Sequence, residues 1–167
     1  MKKISIFTIF LSFFFYSTVQ SYSSNPKEFV TELINDAITK LSDKSASKEE
    51  KSKFIEQIAL ENVDINALGL YTLGEIRKSA KKDEISRYQI IFEKYFLKTL
   101  TSRLSDYSSS QLEVIDAEQK SSNYTIVNSK IISTKESPEI KIDWRIYTKN
   151  PEKPLIRDLI VEGLSLA

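Results

Sequence analysis

Histidine and cysteine are both absent from this 167-residue chain. Their absence removes the commonest general base, the thiol nucleophile, disulfide bonds and nearly all zinc, haem and iron–sulfur ligation. Glycine is scarce, with three in the whole sequence, so neither a phosphate-cradling loop nor a nucleophile elbow can be assembled from it. Neither charge dominates: 24 Lys and Arg stand against 23 Asp and Glu, a formal +1. With no polybasic arm in the chain, nucleic acid is not an expected partner. No cofactor and no metal is implied. Carboxylates, Lys, Tyr, Ser and Thr remain for chemistry. Paired carboxylates can run an enzyme, but this palette shifts the expectation towards binding.

Apolar residues are plentiful. At 41% hydrophobic content the chain fits one globular domain with an ordinary core. Lys2 and Lys3 precede an apolar stretch from Ile4 to Val19, and Val19 and Ser21 stand at the −3 and −1 positions of a cleavage site before Tyr22. This is the pattern of a secretory signal peptide over residues 1–21. The stretch, about 16 residues, is short for a membrane span of roughly 20, and no Cys follows it to carry a lipid anchor. A cleaved leader and a single domain over residues 22–167, working outside the cytoplasm, are expected.

Periodicity divides that domain in two. Asn25-Pro26 opens a helix with Phe29, Val30, Leu33, Ile34, Ala37, Ile38 and Leu41 at helical spacing. Ser47 and Glu50 form a capping box for a second helix carrying Phe54, Ile55, Ile58 and Leu60. "NVDINALGLYTLGEIRKSA", with Gly69 and Gly74 inside it, reads as short helices joined by a break. From Lys82 to Tyr107, Ile85, Tyr88, Ile91, Phe92, Tyr95, Phe96, Thr99, Leu100, Arg103 and Leu104 predict a long helix with a wide apolar stripe. Beyond Ser108–Ser110 the period falls to two, and strands are expected at Leu112–Glu118, Tyr124–Ser133, Glu139–Tyr147 and Leu155–Glu162. On the third of these, Ile140, Ile142, Trp144 and Ile146 share one face, and Lys141, Asp143, Arg145 and Tyr147 the other. Helices followed by a strand meander predict an α+β domain, N-terminal helices packed on a four-stranded antiparallel sheet. Asp143, Asp158 and Glu162 fall on neighbouring strands. They read as solvent-side charges opposite Lys141, Arg145 or Arg157, and no catalytic residue is assigned.

The stretch "VDINALGLYTLGEIRKSAKKDEISRYQIIFEKYFLKTLTSRLSDYSSSQLEV" resembles the core pattern of the MlaC family, the periplasmic phospholipid-binding component of the Mla lipid-transport system, also called the toluene-tolerance auxiliary family. The matching features are Val-Asp before a short helix, "LG" with a following Arg, and a Phe-rich helix with its "YSSSQLEV" exit. "RDLIVEGLSL" resembles the family's Asp-x-x-Val-Glu-Gly-Val-Ser signature, and "IDWRI" its "VDYRL" strand. The resemblance runs roughly from Phe29 to Leu166. Ile76-Arg77 replaces the family's Trp-Arg, and "PEKPLIRD" lacks its Gly-Trp. The family also continues into a C-terminal helical segment where this sequence stops at Ala167, which reads as either a fragment or an unusually short domain.

The resemblance implies a highly curved sheet enclosing an apolar cavity for acyl chains. It implies a carrier and not an enzyme, passing phospholipid between an outer-membrane lipoprotein complex and an inner-membrane ABC transporter complex with its substrate-binding subunit, and so maintaining outer-membrane lipid asymmetry. A free acyl chain exposes roughly 15 methylenes at about 0.8 kcal/mol each, on the order of 12 kcal/mol, which a dry tunnel must match. Facing periodicity nominates Leu68, Leu73, Ile76, Phe92, Phe96, Leu100, Val127, Ile142, Trp144 and Ile146 as lipid-binding. The alternative is a small-molecule-binding enzyme or an interaction module on a nuclear-transport-factor-two-like cone. Such enzymes place Asp, His or Tyr inside the cone, where the third strand here offers Ile, Ile, Trp and Ile.

Overall fold

The computed structural model describes residues 21–104, 111–133, 138–149 and 153–165. The expected leader, apart from Ser21, and the expected continuation of the long helix to Tyr107 lie outside these residues.

Four helices come first. In α1 (Pro26–Ser42), Asn25 Oδ1 accepts from the N–H groups of Lys27 and Glu28, and Pro26 sits where its missing N–H costs nothing. In α2 (Lys48–Asn62), Glu50 N–H donates to Ser47 Oγ at 3.2 Å and Ser47 N–H to Glu50 Oε2 at 2.7 Å, closing the expected capping box. Helix α3 (Ile65–Thr72) ends before Gly74, whose φ of +52° breaks the chain into a separate 3-10 helix, Gly74–Lys78. Helix α4 (Lys82–Leu104) follows, with Glu84 accepting the Lys81 N–H at its start.

The strands then form one antiparallel meander in chain order: β1 (Leu112–Ser121), β2 (Tyr124–Ile131), β3 (Ile140–Tyr147), β4 (Leu155–Val161) and β5 (Leu164–Ser165). The sheet thus has five strands where four were expected. A two-residue loop, Glu162-Gly163, has φ of 49° and 81° and folds the end of the expected fourth strand back on itself. Positive φ at both loop residues is the primed turn that right-twisted strands favour. Lys141 N–H donates to the Glu162 carboxylate, and Glu162 N–H donates to the Lys141 carbonyl, anchoring the turn to β3.

Two apolar clusters fill the fold. In one, Phe29, Val30, Leu33 and Ile34 of α1 bury against Val127, Trp144, Ile146 and Ile156 of the sheet. Register explains the sheet's share: Val127 lies opposite Trp144 and Thr125 opposite Ile146, so alternate residues of β2 and β3 meet α1 on one face. Trp144 Nε1–H donates to Ser129 Oγ, which donates to the Ile142 carbonyl, so the buried polar atoms there are satisfied. The other cluster is helical: Ala59 of α2, Ile65 of α3 and Leu97 of α4, with Phe92, Phe96 and Leu100 packed against them.

One joint ties the two clusters together. Val63, between α2 and α3, packs on both and forms a parallel bridge with Ile156, while Asp64 N–H donates to the Ile156 carbonyl at 2.8 Å. Arg145 pairs with Asp158 and Ile146 with Ile156, which leaves Arg157 as an extra, bulged residue on β4. The bulge re-aims its side chain: the guanidinium lies 3.5 Å from the Tyr147 ring centroid, and its Nε and Nη2 each reach Asp64 Oδ2 at 3.1 Å. Asp64 Oδ1 accepts the Ala67 N–H and caps α3. One carboxylate therefore starts a helix and fastens it to the sheet.

Candidate functional site

The nominated residues divide between the two clusters. Val127, Trp144 and Ile146 are buried with α1, and Ile142 is half-buried against them. Ile146 is 0% exposed, within the cluster that the α1 side chains share with the sheet. Phe92, Phe96 and Leu100 are half-buried in the helical cluster, Leu68 is buried in α3, and Leu73 is half-buried where α3 ends. Ile76 is 65% exposed on the 3-10 helix and belongs to neither group.

The sequence reading did not nominate Phe29, Val30, Val63, Ile65, Leu97 or Ile156, all of which pack in one cluster or both. The α1 stripe was visible, but a period of 3.6 says that a face is apolar and not which surface covers it. The α4 stripe shows the same limit. Leu97, outside the expected stripe, is the one buried residue among the described side chains of the helix, whereas Ile91 and Tyr95, inside it, are exposed.

What α4 turns inward is a ladder of rings. Tyr88 and Phe92 stack at 5.8 Å between centroids, and Phe92 and Phe96 at 6.1 Å. Thr72 Oγ1 donates to the Gly69 carbonyl, which leaves Tyr88 to donate to Thr72. Gly69 permits the approach: a Cβ there would stand 2.9 Å from Phe92 Cδ1. These rings remain half-buried because α4 packs on α2 and α3 and not on the sheet face that α1 occupies. Beside the Val63 joint lies a cleft of about 260 Å³, lined by Leu60, Val63, Ile65 and Leu155 together with Glu61, Asp64, Asn66, Glu93 and Lys153. It is smaller than a typical small-molecule site of about 300–1,000 Å³, yet it opens on the seam between the clusters.

The strand carboxylates are engaged in holding the sheet. Asp158 is buried, not solvent-side as its position in the strand pattern suggested, and accepts from Arg145 Nη1 at 3.1 Å, Ser165 Oγ at 2.6 Å and the Leu159 N–H. Asp143 accepts from Asn128 Nδ2 across the strands, and Glu162 holds its turn. Elsewhere Tyr22 meets Phe29 edge-on and donates to Asp36 Oδ2. Burial, then the hydrogen bond and negative charge of Asp36, push its phenol well above the ordinary tyrosine range. Among the described residues no helix is long and apolar enough to cross a membrane.

No curated relative matches the chain by sequence. The chain is similar in structure to the phospholipid-binding protein from Ralstonia solanacearum, solved in complex with a phospholipid: the TM-score is 0.67 at 13% identity, over 86% of this chain and 80% of that one. Such a likeness shows that the two share a fold. The model of the family described as MlaC protein matches residues 27–167, which takes in both clusters and the Asp64–Arg157 joint that connects them. On that match the chain belongs to the MlaC family.

Proposed function

We propose that this protein carries phospholipid, holding acyl chains along the seam between its helical and sheet clusters. The half-buried ring ladder of Phe92 and Phe96, flanked by Leu100 in a cluster that shares Val63 with the sheet cluster, is the observation that carries the reading. An acyl chain that parts the helical layer from the sheet gains roughly 0.8 kcal/mol per buried methylene. It gives up little packing there, because these rings are already incompletely covered. Family membership and the fold shared with a protein that binds phospholipid support the same conclusion. In this reading Leu68, Leu73, Phe92, Phe96 and Leu100 form the movable wall, and Val127, Ile142, Trp144 and Ile146 the floor beneath α1.

The finer reading is of a leader over residues 1–21 that exports the domain to the periplasm. There it receives lipid from one membrane complex and delivers it to another, between an outer-membrane lipoprotein complex and an inner-membrane ABC transporter. The residues supply binding, and the energy for transfer comes from the transporter. The test is mass spectrometry of organic extracts from protein purified gently from a host with membranes. About one diacyl phospholipid per chain is expected; lipid-free protein defeats the proposal.

A further inference from the structure

The outward side of α4 combines exposed apolar side chains with charge of one sign. Ile90, Ile91 and Tyr95 are exposed there, Tyr95 at 68%. Interleaved with them are exposed Arg87, Lys94 and Lys98. After the first turn the helix has a single carboxylate, Glu93, which is half-buried and lines the cleft. On the preceding 3-10 helix, exposed Ile76 is followed by exposed Arg77, while Lys78 pairs with Glu75 at 2.7 Å. By contrast, α2 mixes signs on its exposed surface, with Glu49 paired to Lys53 and Glu56 and Glu61 beyond.

We infer that this face of α4 docks the protein onto the surface of an anionic phospholipid bilayer. A helix that alternates cations with isoleucine and tyrosine lies in the membrane interface, its apolar side chains sunk to the headgroup boundary and its cations among the phosphates. Each Lys or Arg near such a surface raises partition roughly fivefold. A plane of negative charge satisfies Arg87, Lys94 and Lys98 at once. A second copy of the chain brings the same three cations face to face, which disfavours self-association through this surface. The inference goes beyond lipid carriage, since it concerns where the protein sits and not what it holds.

Flotation of the whole mature chain with vesicles tests it, comparing mixed phosphatidylcholine and phosphatidylglycerol with phosphatidylcholine alone. Binding is expected to the mixed vesicles at low salt and to fall at high salt. The double variant Lys94→Glu/Lys98→Glu should bind at least about tenfold more weakly, and Ile91→Asp should also reduce binding. Lys53→Glu on α2 should bind as the wild type does. All these positions are exposed, so the variants should melt at the wild-type temperature and keep their extracted phospholipid. Failure of the wild type to float overturns the inference, as does equal binding to both vesicles. Loss of bound phospholipid in Ile91→Asp assigns the face to the lipid site instead, and a change in self-association on sedimentation assigns it to a second copy; either overturns bilayer docking. Lipid in the extract with no flotation defeats docking alone, whereas flotation without lipid in the extract defeats carriage alone.

Discussion

The two apolar clusters are built from similar residues and finished differently. Where α1 meets the sheet, Phe29, Val30, Val127 and Ile146 are sealed, and even the indole N–H of Trp144 has an acceptor. In the helical cluster, buried Ala59, Ile65 and Leu97 are surrounded by large rings that stay half-exposed. A sealed cluster stabilises a fold, because closely packed interiors lose contacts when anything moves. An unsealed cluster gives up some of that stability and can move without a large penalty. The carrier reading therefore assigns a fixed, stabilising floor to one half of the molecule and the movable lipid wall to the other, and each half can be tested against the other.

The largest contrast should come from placing one charge in each. Ile146→Asp puts a carboxylate at a fully buried site with no cation among its cluster neighbours, at a cost of several kcal/mol. That is comparable to the whole stability of a domain, about 5–15 kcal/mol, so the variant should be unfolded by circular dichroism. The sequence nominated Ile146 as a lipid-binding residue; its complete burial makes unfolding the expected outcome of a charge there. Phe96→Asp should fold, with a loss of about 1–3 kcal/mol, and lose its phospholipid. A folded Ile146→Asp protein, or a Phe96→Asp protein with full lipid occupancy, breaks the division.

Next in size is the joint between the halves. Asp64→Ala removes the cap of α3, about 1 kcal/mol, and leaves Arg157 over Tyr147 without its carboxylate. A total loss of roughly 2–3 kcal/mol is expected from chemical denaturation. Arg157→Ala in the Asp64→Ala background should cost less than Arg157→Ala alone, since the two share one interaction. Strict additivity rules the joint out.

These residues also show what the sequence could disclose. Asp64 and Arg157 lie within the two stretches that carried the family resemblance, yet neither stretch says that they touch. They are 93 positions apart, and the bulge that aims Arg157 is a matter of strand register. Local chemistry was legible: the Asn25 cap, the Ser47–Glu50 box, the break near Gly74 and the starts of β1, β2 and β4 follow from nearest neighbours. The Glu162-Gly163 turn was missed because Glu is not among the residues that favour positive φ; its carboxylate is held from β3. The α4 stripe misled because apolar period cannot separate a face that packs from one that stays outside.

Alkaline pH should act on the sealed half. The phenol of Tyr22 is raised by burial against α1 and by Asp36, so its neutral form is favoured in the folded state. The stability it contributes is complete below the unfolded value near 10 and is lost as pH rises above it. Thermal melts should show a steeper fall above about pH 10 for the wild type than for Tyr22→Phe. Parallel curves would mean that Tyr22 does not contribute to the seal.

The smallest effect should be the most discriminating, because it compares overpacking in the two halves. Val127→Leu adds a methylene where nothing is exposed, and overpacking such a site costs about 1–3 kcal/mol. Gly69→Ala also adds one carbon, 2.9 Å from Phe92 Cδ1 and 3.2 Å from Cγ, so the ring must shift. Inside a helix the same change gains about 1 kcal/mol from backbone propensity. If Phe92 were braced as Val127 is, the overpacking cost would win and Gly69→Ala would melt lower. Phe92 is half-buried on the helical cluster, with its stacking partners Tyr88 and Phe96 on its own helix, so the ring has an open side to turn towards and the two terms should nearly cancel. A change in melting temperature close to zero for Gly69→Ala is therefore expected, together with altered phospholipid occupancy, since the displaced ring belongs to the proposed lipid wall. A drop as large as that of Val127→Leu would show the helical cluster to be as tightly packed as the sheet core, and would remove the physical basis for placing the acyl chains there.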